Sequence, residues 1–327
     1  MSKLMQIRYG VARSNALRAP LLWLRHRGLD SHDVFLASYA RSGSTLPRFL
    51  LAEALTGTTA TFDDIQQVVP EIGIHVRAKE LFPGGGHLIK THERFRGGYK
   101  RGIYIVRDVR DVMLSAFARE KGMDLLKVRS LDDYVEPFMQ GKMVRYGPWQ
   151  DHVSEWINSP LAKRGGLLVL RYEDLRTDLA GSFRRALEFL NLDFDAAGLQ
   201  RILDNNSMQK MREREDAAKR LPKTGKEEGR QVGKGAVQGW RQTLSPEKLE
   251  VVDRYAGEVL ERLGYPTAKE VREGKGLQEP RVPLPPYDVA GRRAAHAEYG
   301  NGLLSSIRRR NKALGGAVAD YFSWYRY

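Results

Sequence analysis

Four runs of the chain are apolar nearly throughout and rich in β-branched or aromatic residues: VFLASY (34–39), HLIKT (87–91), GIYIVR (102–107) and GLLVLRY (166–172). Each has the length of a strand and little polar alternation, the mark of a strand buried on both faces. Stretches of helical period follow most of them, LPRFLLAEAL after the first, DVMLSAFAREKG after the third and LAGSFRRALEFLNL after the fourth. Strands alternating with helices predict an α/β fold, with a central parallel sheet covered by helices on both faces. Ligands of such sheets bind beyond the carboxyl ends of the strands, so the polar joints at those ends are where chemistry is to be sought.

Further along, SPEKLEVVDRYAGEVLERLG predicts a helix with Ser245 as N-cap, Pro246 at its first position and Gly264 closing it. That helix is expected to end the main domain. The reading is a basic N-terminal segment over 1–33, a domain over 34–264, and a Pro/Gly-rich linker with a basic, aromatic C-terminal extension over 265–327.

Composition narrows the chemistry. With 327 residues, 42% of them hydrophobic, the chain can bury a large core. The absence of cysteine excludes disulfides, thiolate catalysis and Cys-ligated zinc. A formal net charge of +14 favours anionic partners: nucleic acid, anionic lipid, or phosphorylated and sulfated small molecules. Six Lys or Arg stand in the first thirty residues against Asp30 alone, around the apolar run APLLWL. That run is far short of the roughly 20 residues a bilayer needs, and no cleavage site follows it. Cytoplasmic residence is the expectation, with peripheral contact at a membrane surface as a second reading.

The joint after the first strand reads YARSGST. A strand, a loop of small residues and a helix N-terminus direct backbone N–H groups and the helix dipole at one spot, a site for a phosphate or sulfate oxyanion. Gly43 lets the backbone approach, Ser44 and Thr45 add hydroxyls, Arg41 adds charge, and Ser42 completes the loop between Arg41 and Gly43. The nucleotide-kinase loop would carry its Lys directly after the second Gly, whereas here the cation precedes Gly43. At the third strand, Arg107 ends IYIVR, the chain turns through Asp108, Val109 and Arg110, and a helix begins near Asp111, which can cap it. Arg107 and Ser115 can then converge on a second anion. The alternative is that Asp108 and Arg110 merely pair on the surface. Two anion sites at neighbouring strand ends suit a nucleotide with two separate phosphate groups.

In this order the motifs resemble those of the sulfotransferases that use 3′-phosphoadenosine 5′-phosphosulfate (PAPS), and the resemblance runs from about residue 34 to about 264. SYARSGST resembles the family's 5′-phosphosulfate loop, and IYIVRDVRDVMLSAF resembles its 3′-phosphate segment, with Arg107 and Ser115 as the holding residues. LIKTHERF resembles the Lys-Thr-His segment, which implies His92 as general base and Lys90 beside the transferred group. LRYEDL implies Tyr172 near the adenine. NSMQKM and GKGAVQGW imply Ser207 and Met208 flanking the adenosine, and Lys234 and Gly235 returning to the 3′-phosphate. Residues 209–241 hold ten Lys or Arg against five acids, which fits a basic flap over a nucleotide.

The resemblance implies a P-loop-nucleoside-triphosphatase-like sulfotransferase fold and transfer of a sulfuryl group from PAPS to a hydroxyl acceptor. A sulfuryl group carries one negative charge fewer than a phosphoryl group, so side-chain cations and backbone N–H groups can neutralise it and no metal is expected. Arg41 would stabilise the bridging oxygen, and Lys90 the equatorial sulfuryl oxygens. The preferred acceptor is a carbohydrate or glycolipid, with a small alcohol or phenol as alternative. Nucleic acid is not expected as a partner. A P-loop kinase and a basic membrane- or nucleic-acid-binding protein without catalysis are the remaining readings. The chain departs from the family pattern at Ala40, where Pro is usual, at Leu46, where an adenine-stacking Trp is usual, and at Gly233, where Arg is usual. Leu46 predicts weaker cofactor binding unless Tyr172 or Trp240 covers the adenine.

Overall fold

In the computed structural model, residues 22–122, 128, 130–219, 232 and 237–280 are described. The four apolar runs form strands β1 (Val34–Ser38), β2 (Leu88–Thr91), β3 (Arg101–Val106) and β4 (Leu167–Arg171). They make one parallel sheet in the order β2-β1-β3-β4. Alternate residues of each strand enter two separate cores. Phe35, Ala37, Tyr104, Val106, Leu167 and Val169 face one core. Val34, Leu36, Ile103, Ile105, Leu168 and Leu170 face the other. Both faces are therefore buried, which is why the strands are apolar without alternation.

The second of these cores is filled from helix α1 (Thr45–Thr56), through Phe49, Leu50 and Leu51, and from the helix Leu179–Leu190, through Phe183 and Leu187. The first is filled from helix α2 (Val109–Gly122), helix α3 (Asp132–Met139), helix α4 (Trp149–Ile157) and the helix Pro246–Arg262. No helix among the described residues is long and apolar enough to cross a membrane.

Two boundaries differ from the expectation. Helix α2 begins at Val109, and Asp108 takes the position of its cap by accepting a bond from the Arg110 backbone N–H at 3.0 Å. The linker foreseen from 265 onward is folded over 265–280. Tyr265 is buried, Thr267 and Glu270 form a capping box on the short helix Ala268–Arg272, and Gln278 N–H donates to Gly264 O at 2.8 Å. Pro and Gly there mark turns on the domain surface, where local composition does not report the buried contacts. Gly264 has φ +78° after the long helix, the left-handed residue that lets this segment turn back.

Candidate active site at the strand ends

Parallel register brings the four joints level. Ala37 pairs with Thr91, Ser38 with Ile105, and Val106 with Arg171, so His92, the 39–44 loop, Arg107 and Tyr172 emerge side by side at the carboxyl edge. Within the loop, Arg41 adopts φ +72° and Gly43 φ +84°. A left-handed conformation at a non-glycine residue is costly and persists where the surroundings enforce it, commonly at ligand sites. The Tyr172 ring lies against Gly43, so closely that a Cβ there would stand 2.4 Å from it. Glycine is required at this position both by its φ and by that contact.

The cations of both joints meet across this loop. Arg41 Nε donates to Ser115 Oγ at 3.0 Å, and Arg107 Nη1 donates to the Arg41 carbonyl at 3.2 Å. The Arg107 guanidinium also lies 4.3 Å over the Tyr172 ring. Burial lowers the Arg41 pKa to about 10, helped by the neighbouring charges of Arg119 and Arg107 and opposed by Glu215, so guanidinium groups converge on this loop, with Asp111 3.8 Å from Arg107. Ser42 Oγ is buried and has no hydrogen-bond partner among the described residues. An orphaned hydroxyl in a cationic loop at a helix N-terminus fits an oxyanion as its missing partner.

His92 is set by the end of β1. Its Nδ1 lies 2.9 Å from the Ser38 carbonyl and 3.2 Å from Ser38 Oγ, which in turn donates to Ser44 Oγ at 3.1 Å. A carbonyl only accepts, so Nδ1 carries the proton and Nε2 keeps its lone pair. Burial, followed by the charge of Lys90, lowers the His92 pKa to about 3, which keeps the ring neutral. Lys90 Nζ lies 2.9 Å from Glu71 Oε1. Beside His92 stands the Tyr146 ring, with centroids 5.7 Å apart, and the Tyr146 hydroxyl accepts from Arg145 Nη2 at 2.6 Å.

The structure thus links Arg41, Gly43, Ser44, Arg107, Ser115, Tyr172 and His92 by direct contact or a single intervening residue. Thr45 opens helix α1, and Ser207 occupies the N-cap of the helix Met208–Ala217 without a side-chain cap bond. Met208, Leu46 and Tyr172 are partly buried against the same core. Lys234 and Gly235 lie outside the described residues. Trp240 cannot cover an adenine: it is fully buried with the Arg110 guanidinium 3.7 Å from its ring.

Asp108 and Arg110 do pair, but in the interior. Arg110 donates to both Asp108 oxygens at 2.8 and 2.7 Å and to the Pro266 carbonyl at 2.8 Å. Asp111, read from the sequence as a cap, instead accepts the backbone N–H groups of Gln238 and Trp240 at 2.8 and 3.2 Å, anchoring the chain that returns toward the site. Sequence reasoning missed Ser38, Glu71 and Arg145. A small polar residue ending an otherwise apolar strand was the available signal for Ser38; nothing local marked the other two.

Comparison with known proteins agrees with this geometry. The sulfotransferase domain family matches residues 31–264. Sulfotransferase 2A1 of Macaca fascicularis is 29% identical over 69% of this chain and 83% of its own length. Sulfotransferase 2A6 of Mus musculus is 35% identical over 112 residues, and there the match spans only 38% of the relative's length. Among solved structures, mouse sulfotransferase SULT7A1 complexed with PAP superposes with a TM-score of 0.57 at 20% identity, covering 78% of this chain and 94% of that one. Retinol dehydratase in a complex with retinol and PAP gives 0.58 at 20% identity, covering 74% and 86%. The fold is that of these structures, and the chain belongs to the sulfotransferase domain family.

Proposed function

We propose that the chain moves the sulfuryl group of PAPS to the hydroxyl of an acceptor. The observation that carries this reading is the Ser44–Ser38–His92 chain of hydrogen bonds, which ties a neutral imidazole, lone pair free on Nε2, to the oxyanion loop. PAPS would supply a sulfuryl group on an anhydride whose leaving group is the nucleotide bisphosphate. The residues of the chain do the rest. Arg41, Ser42, Gly43, Ser44 and Thr45 would hold the 5′ end, and Arg107 and Ser115 the 3′-phosphate, with Lys234 and Gly235 as further holders. Tyr172, Ser207 and Met208 would bound the adenosine. His92 Nε2 would take the acceptor's hydroxyl proton, while Lys90 and Arg41 stabilise the charge that moves onto the sulfuryl and bridging oxygens. An anionic donor beside the ring opposes both burial and the Lys90 charge, raising the basicity of His92 when the proton is to be moved.

For the acceptor, the Tyr146 ring beside His92 favours a small apolar alcohol. The solved neighbours that hold retinol and androsterone support that class. A carbohydrate or glycolipid, preferred from the sequence, rested on the basic chain ends, which lie largely outside the described residues. Cytoplasmic residence is supported by relatives such as Cytosolic sulfotransferase 5 of Arabidopsis thaliana, 24% identical over 76% of this chain.

The test is to incubate the protein with labelled PAPS and a panel of steroid, retinoid, phenol and sugar acceptors, with and without EDTA. Transfer that survives EDTA is expected. His92→Ala should abolish transfer and leave binding of the bisphosphate product intact; retained turnover would remove His92 as the base. Magnesium-dependent turnover of ATP in place of transfer would overturn the reading.

A further inference from the structure

The segment 70–72 behaves as a fifth, very short strand on the outer edge of β2. Ile72 N–H donates to Lys90 O at 2.9 Å, Lys90 N–H donates to Pro70 O at 2.8 Å, and Glu71 pairs with Lys90 in parallel register. The segment is held from three further directions. Arg48, buried in helix α1, donates twice to the Val69 carbonyl; Arg25 donates to the Ile72 carbonyl at 2.9 and 3.2 Å; and Glu71 N–H donates to Gln66 Oε1 at 2.9 Å. The outcome is that the Glu71 carboxylate meets the Lys90 ammonium at 2.9 Å, two residues before His92.

We propose that Glu71 is a positioning residue of the transfer reaction, holding the Lys90 ammonium charged and in one orientation at the end of β2. This rests on the sulfuryl-transfer reading above. The groups facing Lys90 are Glu71 from the edge segment, Arg48 from α1, Arg145 from the loop before α4 and His92 beyond its own strand. Of these, Glu71 is the anion and the others are cations or a neutral ring. Burial lowers the Lys90 pKa and Glu71 raises it, so the carboxylate opposes loss of the proton on which sulfuryl stabilisation depends. The same pair pulls Glu71 well below the usual carboxylate range, so the carboxylate stays ionised at neutral pH.

The test uses the full chain labelled with [ε-13C]lysine. The resonance missing from Lys90→Gln identifies Lys90, and its titration midpoint is read by NMR in the free protein for wild type, Glu71→Gln and Glu71→Asp. In Glu71→Gln the midpoint should fall by at least one pH unit. The alkaline limb of kcat, with labelled PAPS and a fixed acceptor, should move down in parallel, and PAP affinity should stay within twofold. Glu71→Asp should recover part of both shifts. An unmoved midpoint and an unmoved alkaline limb in Glu71→Gln would overturn the proposal, as would a loss of kcat that is the same at every pH. If the wild type transfers no sulfuryl group, the functional reading fails, while the NMR titration still decides whether Glu71 governs Lys90.

Discussion

The joints after β1 and β3 are built from the same kinds of residue and do opposite things with them. After β3, Asp108 and Arg110 turn inward and pair with each other and with the Pro266 carbonyl, while Asp111 accepts the backbone N–H groups of Gln238 and Trp240. After β1, Arg41 and Ser42 stay on the open edge. Arg41 sits in a left-handed conformation among other guanidinium groups, and Ser42 Oγ is buried without a partner among the described residues. Arg107 stands between the two, bonded to the loop through the Arg41 carbonyl. The lesson is that charge at a strand end is not itself a ligand signal; unmet bonding capacity in a charged, preorganised loop is.

Breaking the satisfied joint should have the largest effect. Arg110→Ala leaves Asp108 buried and unpaired and strips the face of Trp240, and should cost about 3–5 kcal/mol in urea unfolding. A value near zero would mean the network is not structural.

Acidity separates the two regions next. Near the open joint, burial lowers His92 to about 3 and His152 to about 4, and elsewhere it lowers His75 to about 3 and His26 to about 4. Each is depressed below its unfolded value of about 6.5, so its contribution is present above that pH and is lost as pH falls toward the folded value, by about 1.4 kcal/mol per unit per group. Glu173, which accepts from Asp108 N–H and from the Tyr265 hydroxyl at the satisfied joint, is raised by burial to about 7. Its contribution has the opposite sign, full below about 4.5 and lost as pH rises through 7. Stability should therefore rise from pH 5 to 7, and rise more steeply in Glu173→Gln; an unchanged slope in that variant contradicts the assignment.

In the open joint, Leu46→Trp should tighten PAP binding by about 1–3 kcal/mol if the tryptophan stacks on the adenine, read by calorimetry. No gain would mean that Tyr172 already bounds the base. Ser42→Ala should leave stability within about 0.5 kcal/mol, because the hydroxyl has no partner to lose, yet weaken PAP about tenfold, or about 1.4 kcal/mol.

All four strands were legible because burial on both faces writes itself as an uninterrupted apolar run. So was the placement of Arg41, Gly43, His92 and Arg107 just beyond strand ends, and of Ser115 in the helix that follows the third strand. What stayed hidden depended on contacts distant in sequence. Ser38 bonds to a histidine 54 positions away and Glu71 to a lysine 19 positions away, and neither shows a local pattern. The helix foreseen at Asp111 starts earlier because Asp108 caps it and Asp111 is drawn to the returning chain.

On this reading the two joints hold two separate phosphate groups of one nucleotide. Calorimetric titration of wild type and Arg107→Ala with PAP, 5′-AMP and 3′-AMP tests it most directly. Wild type should bind PAP at least tenfold more tightly than either monophosphate, and Arg107→Ala should abolish the advantage of PAP over 5′-AMP. Equal affinity of the wild type for PAP and 5′-AMP would contradict it.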